Sequence, residues 1–179
     1  MRKPKDLPWS APVTVHEVPE TGRRFDLSAD PPARERIAAA ADLRSLPRFE
    51  ATFDVSRHGR EGLRVAGRIS ATVGQTCIVT LEPIENAVGE EVDVVFAPSG
   101  VAAEYDEHLS AKTSAEDAPE PLVGGTVDLG ALATEFLILG LDPYPRKPGV
   151  TFETPASAAD EGGLPFAALA ALKKGPAEQ

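Results

Sequence analysis

The sequence predicts an α+β domain: an antiparallel β-meander, strongly twisted or partly closed, packed by one main helix and one shorter helix, with a mobile acidic insert and tails. Three observations carry this expectation. Between residues 48 and 97 apolar and polar residues alternate over runs long enough for half-buried antiparallel strands. Leu129, Leu132, Ala133, Phe136 and Leu137 then fall at helical spacing. Seventeen prolines and 15 glycines in 179 residues exceed what a compact helical domain carries, so part of the chain must be loop or tail.

Residues 1–12 are rich in proline and charge and are expected to form a fraying tail in which Trp9 is the one docking candidate. Val13 and Val15 give a short strand signal, and Glu20 to Arg23 reads as the turn after it. Asp30 before Pro31 is a cap followed by a proline in the first turn, which opens a short alanine-rich helix over about 31–43. Phe49, Ala51, Phe53 and Val55 alternate with polar neighbours, as do Leu63, Val65, Gly67, Ile69, Ala71 and Val73, with two glycines between the runs. This is a hairpin, with Gly67 marking a bulge or tight bend. Gln75–Leu81 and Val88–Phe96 complete a four-strand meander.

Residues 99–125 lose all periodicity and are expected to be a mobile acidic insert. Thr126 or Asp128 caps the main helix over about 128–139, with Gly140 closing it. The domain therefore spans 13–142. Residues 143–179 form an extended segment ending in a short amphipathic helix, whose stripe of Phe166, Leu169 and Leu172 either packs in cis or docks on a partner.

Composition narrows the function. The net charge of -10 and pI near 4.8 oppose generic nucleic-acid binding. The charge is uneven, however: residues 1–70 carry +3 and residues 71–179 carry -13, so the two parts suit different partners. The single Cys77 excludes an intramolecular disulfide and a multi-cysteine zinc site, which fits a reducing compartment. No run reaches the length of a membrane span and the basic start lacks an apolar signal region, so a soluble cytoplasmic protein is expected.

No catalytic signature is present: His16, His58 and His108 are scattered, and there is no nucleophile elbow or HExxH. Gly124-Gly125 lacks the Lys-Ser/Thr of a phosphate loop. Glu90-Glu91 and Glu104–Glu107 read as solvated charge. The chain is thus expected to be no enzyme and to hold no metal or cofactor. Arg48, Arg64 and Arg68 project from the outer face of the hairpin, where either phosphate contact or cross-strand ion pairing with Glu50 and Asp54 explains them.

Cys77-Ile78-Val79-Thr80-Leu81-Glu82-Pro83 resembles the central Cys-x-Arg-Cys-Leu-Glu-Pro signature of the YceD family, the large ribosomal RNA subunit accumulation proteins. Asp128-Leu129-Gly130 through Glu135 to Leu139, followed by Asp142-Pro143-Tyr144-Pro145-Arg146, is similar to that family's helix and the segment after it. Pro165–Lys173 is similar to its C-terminal end. The resemblance spans roughly residues 25–174. Val79 stands where the family has Arg and Thr80 replaces its second cysteine, so Cys77 reads as a small buried residue on a strand and not half of a zinc site.

The resemblance implies a non-enzymatic factor supporting 23S ribosomal RNA accumulation and large-subunit biogenesis, with ribosomal RNA or an assembly protein as partner. The alternative is an acidic protein-binding adaptor with no RNA contact. Candidate contact residues are Arg48, Arg64, Arg68, Tyr144, Arg146, Phe166, Leu169 and Leu172, beside the motif positions Cys77, Leu81, Glu82 and Pro83.

Overall fold

In the computed structural model the described residues are 7–98 and 119–152. The compact unit ends at Pro148, and only residues 149–152 of the unit after it are described. Residues 99–118, with His108 and Glu104–Glu107, and the Phe166/Leu169/Leu172 stripe therefore lie outside the described residues.

Strand β1 (Pro12–Thr14) leads into a 3-10 turn (Val15–Glu17), and β2 (Arg23–Ser28) into helix α1 (Pro31–Ala40). Three long strands follow: β3 (Ser45–His58), β4 (Gly62–Thr76) and β5 (Pro83–Ala97). After the undescribed stretch come β6 (Glu120–Pro121), β7 (Thr126–Asp128) and helix α2 (Leu129–Leu139). The main sheet has the order β2-β3-β4-β5-β6, antiparallel except for the parallel β5–β6 pair, and β1 pairs with β7 in a separate two-stranded sheet. The α+β class and the antiparallel meander are as the alternation dictates.

Both helices pack against the main sheet, α1 on β3 and α2 on β4 and β5. Phe49, Phe53, Val55, Leu63, Val65, Ile69 and Val73 point inward onto Ile37 of α1 and Leu129, Ala133 and Leu137 of α2, in one buried cluster. Period-two alternation puts these residues on one sheet face, and the stripe at helical spacing supplies the surface that covers them. Asp30 caps α1 by accepting from the Ala33 N–H at 2.8 Å. The left-handed Asp42 (φ 54°) ends it, and Leu43 N–H reaches back to the Ala38 carbonyl.

Several expectations need correction. Gln75–Leu81 is not a separate strand: β4 runs unbroken to Thr76, and the chain turns over Cys77–Glu82, where Leu81 takes φ 60°. Strand β2, unexpected from the sequence, pairs along β3 from Arg23↔Val55 to Ser28↔Glu50. Gly67 is not a bulge; it pairs in register with Phe53 and Val92, while the irregularity lies between Ser45 and Arg48. The second half of the expected 1–12 tail is held in place. Trp9 meets the Phe49 ring edge-on at 5.1 Å, and Ala11 N–H donates to Asp128 at 2.8 Å. The expected insert ends earlier than 125, since Leu122 is buried and its N–H donates to the Ala97 carbonyl.

Candidate functional site

Two stretches that carry the sequence motifs, some 65 residues apart, meet at one end of the sheet. The first is the β4–β5 turn. Cys77 N–H donates to the Glu82 carbonyl and Leu81 N–H to the Cys77 carbonyl, both at 2.9 Å, which closes a compact loop. The second is the strap that follows α2, Leu141–Pro148. Its prolines prevent further helix, and it bends at Pro143 and Tyr144, where Tyr144 N–H donates to Asp142 Oδ1 at 2.8 Å, leaving the Pro145 carbonyl and the Lys147 N–H free to pair elsewhere.

They pair with the turn. Ile78 N–H donates to the Pro145 carbonyl at 3.0 Å, and Lys147 N–H to Cys77 Sγ at 3.4 Å. Gln75 Nε2 donates to the Asp142 carbonyl at 3.0 Å while its own carbonyl oxygen accepts from Asn86 Nδ2. Outside, Lys147 Nζ reaches Glu82 Oε2 at 2.8 Å. That contact holds the Glu82 carboxyl below its usual range and raises the Lys147 ammonium above its own, through hydrogen bonding first and charge second.

Cys77 is fully buried at the centre of this junction, at the head of the turn and not on a strand. Its sulfur accepts the Thr80 N–H at 3.5 Å as well as that of Lys147, so it acts as a polar acceptor and not merely as a small apolar filler. The Thr80 hydroxyl and N–H, followed by the Lys147 N–H, outweigh desolvation and bring the thiol down to about 6.

The junction presents its apolar side chains to solvent. Leu81 is 75% exposed, Tyr144 67% and Ile78 43%. Arg146 is exposed beside them, whereas Pro145 is buried and anchors the strap. Glu82 and Pro83 serve the turn: Glu82 through its carbonyl and its ion pair, Pro83 as the first residue of β5. Lys147, Gln75 and Asn86 were not among the residues singled out from sequence. No spacing signal marks them, because each acts across a tertiary contact.

The Asp128-Leu129-Gly130 motif has an equally specific structural role. Asp128 Oδ1 accepts from Gly130 and Ala131 N–H, both at 3.0 Å, capping α2 while it also holds Ala11. Leu129 is fully buried, and a Cβ at Gly130 would lie 3.0 Å from the Ser10 nitrogen, so the N-terminal segment passes directly over a glycine.

The candidate arginines lie elsewhere, on the outer sheet face. Arg64 is held by both oxygens of Asp93 at 2.8 and 2.6 Å, and its hydrogen bonds keep the Asp93 carboxyl below its usual range. Arg48 pairs with Glu50 at 2.9 Å and Arg24 with Asp54 at 3.7 Å. Phe53 pairs with Gly67, but Arg64 takes its partner from β5 and not from Asp54. Arg68 has no ion pair among the described residues and lines an open depression of about 480 Å³ with Arg24, Asp54, Glu91 and Asp93. The face is thus of mixed charge, and the structure does not bring its arginines to Tyr144 or Arg146.

Among the described residues no three His, Cys, Asp or Glu side chains gather as metal ligands would, and no helix is long and apolar enough to cross a membrane.

Fold and junction together define an α+β protein built around a hairpin turn laced to a proline-rich strap, with apolar side chains exposed at the seam. Over residues 65–173, more than half of the chain, it matches the family described as Large ribosomal RNA subunit accumulation protein YceD, and the chain belongs to that family. The match includes the turn, α2 and the strap and begins within β4, later than the expected start near residue 25. No curated protein and no solved structure matches the chain.

Proposed function

We propose that this protein is a non-enzymatic factor of the bacterial cytoplasm that supports 23S ribosomal RNA accumulation and large-subunit biogenesis, acting by binding through the turn–strap junction. One observation supports this most: two motifs shared with the family converge on a tied turn that exposes Leu81, Tyr144 and Arg146. Exposed apolar and aromatic side chains on a rigid frame suit recognition, because little conformational freedom is lost when they are covered. Tyr144 and Arg146 offer a ring and a guanidinium of the kind that receives an unstacked base and its phosphate.

A second reading, an acidic adaptor with no direct RNA contact, draws support from the outer face, where Arg24, Arg48 and Arg64 are engaged by carboxylates. Capturing the tagged protein from cells, with sequencing of bound RNA and mass spectrometry of bound proteins in the same sample, separates the two. Enriched 23S fragments that are lost with Tyr144→Ala favour direct contact. Protein alone favours the adaptor, and an unchanged 23S to 16S ratio in the deletion strain removes both forms of the ribosomal role.

A further inference from the structure

Strand β5 is paired along its full length on one side only, among the described residues. Its whole length lies against β4, from Thr76↔Pro83 to Leu63↔Phe96, whereas on its other side β6 meets only Phe96 and Ala97. Among the described residues, the edge from Pro83 to Val95 has no strand beside it. That is more than twice the usual strand length of about 5–6 residues, and such an edge is a ready template for another strand.

The direction of its backbone groups follows from the ladder. In antiparallel pairing, alternate residues turn N–H and C=O toward the same neighbour. At one end Glu82 accepts from Cys77 across the β4 side, and at the other the Ala97 carbonyl accepts from Leu122 on the far side. Even-numbered residues therefore face β4, and Glu85, Ala87, Gly89, Glu91, Asp93 and Val95 turn their backbone groups outward. The Leu122 contact shows this edge already accepting a chain at its end.

The side chains along the edge select the occupant. The strand carries Glu85, Glu90, Glu91 and Asp93 and no Lys or Arg, and only Asp93 is in an ion pair among the described residues. A second copy would set acid against acid, and a nucleic-acid backbone would be repelled. We infer that the outer edge of β5 docks a basic extended peptide, which adds to the sheet as a strand and lays its cationic side chains beside Glu85 and Glu91. Such docking would hold whether or not the protein touches RNA.

Hydrogen exchange on the full chain tests it, with a ten-residue peptide of alternating Lys and Val as probe and the same peptide N-methylated at every backbone amide as control. At a tenfold excess of free peptide over its Kd, the Ala87, Gly89, Glu91 and Asp93 amides should exchange about tenfold more slowly, while Val88, Glu90 and Val92, already bonded to β4, stay unchanged. The methylated control should have no effect on those four amides. Joint Glu85→Lys and Glu91→Lys substitution, at unchanged thermal stability, should weaken the peptide Kd about tenfold at low salt. Four results would overturn the inference: no slowing at the four amides, equal slowing by the control, slowing along β2 instead, or slowing that grows with protein concentration alone, which would make a second copy the occupant.

Discussion

A methyl group at Gly67 would overlap the Thr52 carbonyl oxygen and crowd Phe53 Cα, so Gly67→Ala must push β3 and β4 apart beside the buried Phe53. We expect a loss of about 1–3 kcal/mol in denaturant unfolding. Alternation on both sides marked Gly67 as mid-strand, but its close approach to Thr52 and Phe53 arises from pairing with β3 and was not legible locally. Cys77 gives a pH signature. Its folded-state thiol titrates near 6, below the ordinary value, so its contribution is fully present above the unfolded pKa and is lost as pH falls through about 6. Stability of the wild type should therefore rise from pH 6 to 9 with a component that Cys77→Ala abolishes; parallel profiles for the two proteins would refute the assignment. The sequence showed a lone cysteine beginning a family-like motif, but the Lys147 N–H that helps set its chemistry lies 70 residues away.

At the scale of elements, the turn and strap explain one another. Leu81 is three-quarters exposed and held in the left-handed region, where a non-glycine residue costs about 1–2 kcal/mol. Such strain on a solvent-facing leucine makes sense if the side chain is used. Leu81→Gly should leave the melting temperature unchanged or slightly higher, since relief of strain offsets the greater chain entropy of glycine, and should reduce capture of the cellular partner. Asp128→Ala at the head of α2 should instead cost about 0.5–2 kcal/mol of stability, because a cap is lost and the Ala11 N–H loses its acceptor. Strands β3 and β4 and both helices were legible because their periods extend over many residues. Cys77, Val79 and Leu81 continued the period-two pattern and mimicked a strand, whereas the chain turns there, with Leu81 N–H bonded back to the Cys77 carbonyl and Leu81 at positive φ. Strand β2 was hidden because its six residues follow a turn and pair with β3 across an intervening helix, and β6 is too short to carry a period.

For the whole molecule, charge decides which surfaces can serve which partner. With a net charge of -10 and a mixed outer face, broad electrostatic attachment to RNA is disfavoured, so the proposed RNA contact would have to use a small patch such as that around Arg146. Arg64→Glu together with Arg68→Glu should leave RNA capture intact, the first by repelling Asp93 with a small loss of stability and the second without one. Loss of capture with the fold preserved would return those arginines to the contact surface. Family membership was legible from three short motifs in order, and it is the turn and the strap that give two of them a common physical purpose. The most direct measurement is the 23S to 16S ribosomal RNA ratio in a deletion strain complemented either by the wild-type chain or by a chain carrying Leu81→Gly and Tyr144→Ala at matched protein level and thermal stability. The wild type should restore the ratio and the double variant should not; full restoration by the variant would contradict a role for the turn–strap junction in ribosomal RNA accumulation.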